Sequence, residues 1–172
     1  MKRLLIALVF TLTPSMFFAQ TAFDKFDGMS DVKSVIVNRK MFEMMGNVKS
    51  QDSQQYLDLI KKLNNLRVFS TNSSAVSTDM RSTAEKYIKT AGLEELMRIN
   101  DEGKNIKIMV KSGAGSTRVR ELLMFMDGSG KNETVLMSLT GDFDLNDIAL
   151  LTDKLKVPGG EALKKASRTK KQ

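Results

Sequence analysis

Along Leu93 to Gly141 the apolar positions fall into four stretches, LEELMRIN, NIKIMVKS, TRVRELLMFM and ETVLMSLTG. Turn chemistry separates them: Asp101-Glu102-Gly103, Gly113-Ala114-Gly115 and Asp127-Gly128-Ser129-Gly130. Links this short join neighbouring antiparallel strands, so the pattern predicts a four-strand meander. In the second stretch Ile106, Ile108 and Val110 share one face, with Lys107 and Lys111 on the other, as in a half-buried strand. The third opens polar with Arg118, Arg120 and Glu121. It then becomes apolar on both faces from Leu122 to Met126, which predicts a central strand covered on both sides. In the fourth, Val135, Met137 and Leu139 alternate with Ser138 and Thr140.

Before the meander, helical periods alternate with short apolar runs. AFDKFDGMSD predicts a loosely structured lead-in. Val32 to Val37 is apolar on both faces and predicts a buried strand, and KMFEMMG predicts a short helix or turn closed by Gly46. Asp52, with Gln55 three residues on, has the pattern of a capping box. It precedes a helical stripe of Tyr56, Leu59, Ile60 and Leu63. Asn64-Asn65 is expected to stop that helix, and LRVFS to form a short strand. Thr71 to Ser77 reads as a polar linker. Ser77 or Thr78 then caps a helix with Met80, Ala84, Tyr87, Ile88 and Ala91 on one face and Gly92 past its end. After the meander, Asp144 or Asn146 starts a helix bearing Leu145, Ile148, Leu151 and Leu155. Val157-Pro158-Gly159-Gly160 breaks it, and a last short helix runs from Glu161 to Ala166. The whole predicts a single α+β domain: a mixed, largely antiparallel sheet of about six strands with a four-strand C-terminal meander, and helices mainly on one face.

The first residues change where this domain is expected to work. Lys2 and Arg3, the apolar run Leu4 to Phe10, Pro14, and Phe17-Phe18-Ala19 before Gln20 have the form of a secretory signal peptide. The run is shorter than the roughly 20 residues a spanning helix needs. The expected organisation is residues 1–19 as signal peptide, 20–162 as the domain and 163–172 as a disordered basic tail. The expected location is the periplasm or outside the cell, with no integral span after cleavage.

Charge follows the same division. The chain holds 27 Lys and Arg against 20 Asp and Glu. Lys164, Lys165, Arg168, Lys170 and Lys171 crowd the end with no acid among them, and residues 20–162 balance. The excess therefore belongs to the tail, which argues against a nucleic-acid surface on the domain. Those five residues are the candidate electrostatic contact, to an acidic envelope surface such as anionic lipid headgroups.

With no Cys and no His, Ser–His and Cys–His nucleophile pairs and the usual zinc sites are excluded. Asp142, Asp144, Asn146 and Asp153 have a calcium-loop spacing. Asp147 stands where that loop needs Gly, however, and acids at a helix start serve as caps. Ser112 to Thr117 is glycine-rich but lacks the Gly-Lys-Ser/Thr ending of a phosphate loop, and reads as a hairpin loop. Glu94 and Glu95 are adjacent and point to opposite faces of a strand. The many Met residues read as core filler, with a Met-lined apolar groove for a partner as the other reading. No catalytic residue, cofactor or metal site is assigned.

The signal peptide, VKSVIVNRKMFEMM, LRVFS, EELMRIND, and ELLMFMDG leading to SLTGDFDLNDI together resemble a family of small exported Gram-negative bacterial proteins of unknown function. The family carries no established catalytic residues, so the resemblance transfers none. Many of its members look like lipoproteins; this chain lacks the Cys they would use. Family genes tend to lie near extracytoplasmic sigma and anti-sigma factors, which implies a role in envelope sensing or stress. The expected function is an exported, non-enzymatic binding or accessory protein whose partner is an envelope protein or acidic envelope surface. The alternative is a carboxylate-based hydrolase or other periplasmic enzyme.

Overall fold

The structure, a computed structural model, describes residues 22–47, 53–101, 103–115, 117–128, 133–155 and 160–169. Its elements in chain order are β1 (Lys33–Asn38), α1 (Arg39–Asn47), α2 (Gln54–Lys61), β2 (Leu63–Thr71), α3 (Ser74–Ala91), β3 (Glu94–Asp101), β4 (Lys104–Ser112), β5 (Arg118–Asp127), β6 (Thr134–Asp144), α4 (Ile148–Leu155) and α5 (Gly160–Thr169). The strands form one sheet in the order β1-β2-β6-β5-β4-β3. The expected meander is there, with β3, β4, β5 and β6 as consecutive neighbours. All five pairings are antiparallel. The expected mixture of directions has a simple reason to be missing. Two short helices, α1 and α2, return the chain to the end of the sheet where β1 finished, so Asn38 pairs with Asn65 and β2 runs back beside β1. Helix α3 then carries the chain to the far edge, and the meander fills the gap until β6 meets β2.

The two faces of the sheet carry separate cores. On one, Leu66, Val68, Ile108, Leu122, Met124, Met137 and Leu139 lie under α1, α2, α4 and α5 through Phe42, Leu59, Ile60, Ile148, Leu151 and Leu163. On the other, Phe69, Met109, Leu123, Phe125 and Leu136 meet Met80, Ala84 and Tyr87 of α3. Helices thus lie mainly on one face, as the pattern predicts, with α3 alone on the other. That helix ends where expected: Gly92 is left-handed at φ 66°, and its N–H donates to Ile88 O.

Several local expectations give way. The lead-in is part of the core. A 3-10 turn, Asp24–Phe26, carries Phe26, and Phe23 and Phe26 are both fully buried. Phe23 meets Tyr87 edge-on with ring centroids 4.9 Å apart, and Phe26 lies 6.0 Å from Phe69. One helix cannot cover a six-strand face, and these rings close the part that α3 leaves open. Strand β1, expected buried, is the outermost strand of the sheet and largely exposed. Asn64 and Asn65 continue β2 rather than stop a helix, with a bulge between Leu63 and Asn65. Of the expected linker, Thr71 ends β2, and from Ser74 onwards the chain belongs to α3, which starts after Ser73. Helix α2 is capped by the Ser53 hydroxyl, which accepts the Tyr56 N–H at 3.3 Å; Asp52 lies outside the described residues.

The expected boundary between domain and tail, after residue 162, falls inside α5, where Leu163 is buried in the core. Truncation after Ala162 removes that side chain. It is expected to cost about 2–4 kcal/mol, as for loss of a buried Leu, and to lower the melting temperature by several degrees. Removing only Lys170, Lys171 and Gln172 should leave it unchanged. Equal melting of the two truncated chains would show that Leu163 contributes nothing.

The β1 edge and a buried carboxylate

A sheet has two edges, and here they differ. Strand β3 is interrupted by a bulge between Glu95 and Met97 and bears the exposed charges Glu94, Glu95 and Arg98, with Arg98 bonded to Glu95. Charge and bulging are the usual protection of an edge strand. Strand β1 has no bulge, its six pairs with β2 running without a shift, and its one charge is Lys33 at its start. Its pairing sets Val35 opposite Val68 and Val37 opposite Leu66, on the face under α1 and α2. Ile36, opposite Arg67, points to the other face. Val37 is packed against the core, but Val35 is 55% exposed and Ile36 43%.

Helix α1 follows directly. Phe42 and Gly46 face inward, and an alanine at Gly46 would crowd the Lys61 stem, its Cβ lying 3.1 Å from Cγ. This close seating turns the opposite side out, so Met41 is 50% exposed and Met44 58%. Among the described residues, the exposed large apolar side chains are Met29, Val35, Ile36, Met41 and Met44, all from one stretch of chain around β1. The sequence showed these residues as apolar, but their exposure among the described residues is a product of the tertiary structure.

The site that sequence reasoning missed is Glu121. It stands among the polar residues opening β5, yet it is only 4% exposed. A bulge between Val119 and Glu121 shifts the alternation. Val119 and Leu122 therefore both face the first core, and Glu121 is turned under α3. The Tyr87 hydroxyl lies 2.8 and 2.9 Å from its two carboxylate oxygens, and the Ser138 hydroxyl also bonds it. Burial pushes the Glu121 carboxyl up, and the bonds from Tyr87 and Ser138 and the charge of Lys111 only partly offset this. Burial and then the Glu121 charge push the Tyr87 hydroxyl up as well. A Tyr on a helical stripe needs a partner for its hydroxyl, and that was the available signal.

The sign of the pH effect follows. A carboxyl raised on folding holds its proton more tightly in the folded state, so stability falls as pH rises from about 4.5 through the folded pKa. Glu121→Gln removes this loss. Its melting temperature relative to the unsubstituted chain should rise between pH 4 and pH 8. A difference that stays constant across that range would contradict the assignment.

The remaining candidates are structural. Asp144 caps the 3-10 turn Leu145–Asp147, accepting from Asn146 N at 2.8 Å and from the Thr117 hydroxyl at 2.6 Å. Burial pushes its carboxyl up, but these bonds and Arg118 hold it below the usual range. Asp142 is lowered by its bond to Arg118, whose Nη2 lies 2.6 Å away. The side chain of Asp153 is outside the described residues. The glycine-rich stretch is the β4–β5 hairpin loop, closed by Gly113 N–H to Arg118 O at 2.8 Å. At the opposite end of β6 from Glu121, a shallow hollow of about 300 Å³ is lined by Asp31, Lys33, Thr71, Ser73 and Glu133, among others. Of the five basic residues near the chain end, Lys164 is paired with Glu161 at 3.1 Å. The side chains of Lys165, Arg168, Lys170 and Lys171 lie outside the described residues.

The model of a family described as a domain of unknown function, DUF4252, matches residues 10–151. The chain belongs to that family. Neither curated proteins nor solved structures give a match. The DUF4252 match takes in both candidate regions, the β1 edge and Glu121, and ends within α4. Helix α5, which supplies Leu163 to the core, lies beyond it. Among the described residues of this DUF4252 protein, no helix is long and apolar enough to cross a membrane.

Proposed function

We propose that this DUF4252 protein is an exported, non-enzymatic binding or accessory protein of the cell envelope that works through its β1–α1 edge. The observation carrying this reading is that, among the described residues, the exposed large apolar side chains all come from residues 29–44, on or beside the edge strand β1. Such residues scattered singly are ordinary; gathered, they mark a contact surface. Export is supported by Lys2, Arg3 and the apolar run that follows. Cleavage after Ala19 would leave Phe23 and Phe26, both buried, in the chain. The resemblance to exported proteins encoded near extracytoplasmic sigma factors favours a part in envelope sensing or stress. The basic residues near the chain end add salt-sensitive attraction to an acidic surface.

The enzyme reading is weaker. A working acid or base needs to reach its substrate, whereas Glu121 is sealed beneath α3 with both oxygens engaged by Tyr87. Its bonding partners are a hydroxyl from Tyr87 and one from Ser138, with no second carboxylate among them.

Cell fractionation with N-terminal sequencing tests the location. The expected result is a chain outside the cytoplasm beginning at Gln20, and full-length protein in the cytosol would overturn it. Cross-linking in the envelope tests the surface. A chain carrying Met41→Glu and Met44→Glu should keep its melting temperature and lose the envelope protein that the unsubstituted chain holds.

A further inference from the structure

We infer that β1 pairs with β1 of a second copy, antiparallel and centred on Val35, joining two sheets into one across a two-fold axis. The inference rests on the reading of β1 as an interaction edge and names its occupant. Alternate residues of an outer strand direct N–H and C=O groups away from the sheet, so an added strand satisfies them. An added β1 also lays Val35 and Ile36 against apolar or neutral neighbours, which are exposed in the single chain.

Symmetry limits the registers. A two-fold axis perpendicular to the sheet keeps each face on its own side, and opposed residues of an antiparallel pair share a face. Registers that set Val35 against an apolar residue of β1 oppose it to either Val35 or Val37 of the second copy. The second choice centres on Ile36 and brings Lys33 against Arg39 of the second copy, a like-charge clash at both ends. The first opposes Ile36 to Ser34 and Val37 to the Lys33 stem, and brings the exposed Lys40 and Arg39, whose Nε also bonds Glu43 at 3.0 Å, near Asp31 of the second copy. Asp27 lies at the same end, its carboxylate accepting the Ser34 hydroxyl at 3.0 Å. Asp31, Arg39 and Lys40 are all exposed. Of these two registers, the Val35-centred one matches the acids before β1 with the bases after it, twice by symmetry. The other edge offers no such symmetry: β3 carries its own charges and a bulge.

The test uses the processed chain recovered from an exporting host. Sedimentation at about 50 µM, where a micromolar dimer is largely formed, should give twice the monomer mass. Val35→Lys sets two like charges face to face on the axis and should return the monomer. Val35 is exposed, so circular dichroism and melting of that chain should match a folded control. Opposed Cα atoms on the axis lie about 4.5–5.5 Å apart, within disulfide reach, whereas those of Ile36 and its own copy would be about 8 Å apart. Val35→Cys should therefore form a covalent dimer under mild oxidation, and Ile36→Cys should not. A monomeric unsubstituted chain, a dimer that survives Val35→Lys, or faster cross-linking of Ile36→Cys would overturn the inference. The envelope reading fails separately: a dimer with no envelope contact supports the pairing and removes only that role.

Discussion

Replacing Phe26 by Ala should cost about 3–5 kcal/mol, the usual loss for emptying a fully buried aromatic site. In a domain of this size the melting temperature should fall by about 10 °C or more. The ring packs beside Phe69 and closes the part of the sheet face that α3 leaves open. The cavity cannot readily collapse, because its walls are a sheet on one side and α3 on the other. The preceding Phe23 touches Tyr87, so its loss would also disturb the hydroxyl that bonds Glu121. A Met29→Ala chain is the control, since Met29 is exposed in the same segment, and its melting should barely move. Thermal unfolding by circular dichroism decides: matching curves for Phe26→Ala and Met29→Ala would mean the first residues of the domain are not part of its core.

Gly141→Ala should be comparably damaging, for a different reason. A Cβ at Gly141 would stand 2.4 Å from Lys62 O and 3.0 Å from Leu63 Cα. Both are backbone atoms, so no side chain can rotate away. This is where β2 begins: Leu63 pairs with Gly141 beside the bulge, and Asp142 N–H donates to Lys62 O at 3.0 Å. To admit the methyl group, β6 must part from the α2–β2 junction and give up that bond. Forced overpacking costs about 1–3 kcal/mol where side chains can adjust, and here the backbone itself must move, so about 3 kcal/mol or more is expected. Hydrogen exchange should show faster opening at Asp142 and along the start of β2. By comparison, Gly28 faces open space and is constrained only by its φ of 76°, so Gly28→Ala should cost less. Equal effects at Gly28 and Gly141 would contradict the close approach.

The sequence by itself determined the elements whose cause is local. Period-two alternation between Gly-bearing turns defined the meander, because a half-buried strand and a short hairpin leave their own marks. Gly92 marked the end of α3, since only a residue without Cβ takes a left-handed cap readily. Standing ahead of an apolar helical stripe marked Asp144 and Asn146 as the two candidate caps, and the structure chose Asp144. Tertiary structure alone decided whatever depends on distant neighbours. VKSVIV reads as a buried strand, and it became an exposed edge because none of the described strands lies beyond it. Phe23 and Phe26 look like part of a loose lead-in until Phe69 and Tyr87 come beneath them. Glu121 belongs to a polar opening by its neighbours in sequence, and a bulge of one residue turned it inward under Tyr87. Burial is set by what lies across the sheet, and local pattern carries that information only when the alternation is unbroken and the strand's place in the order is known.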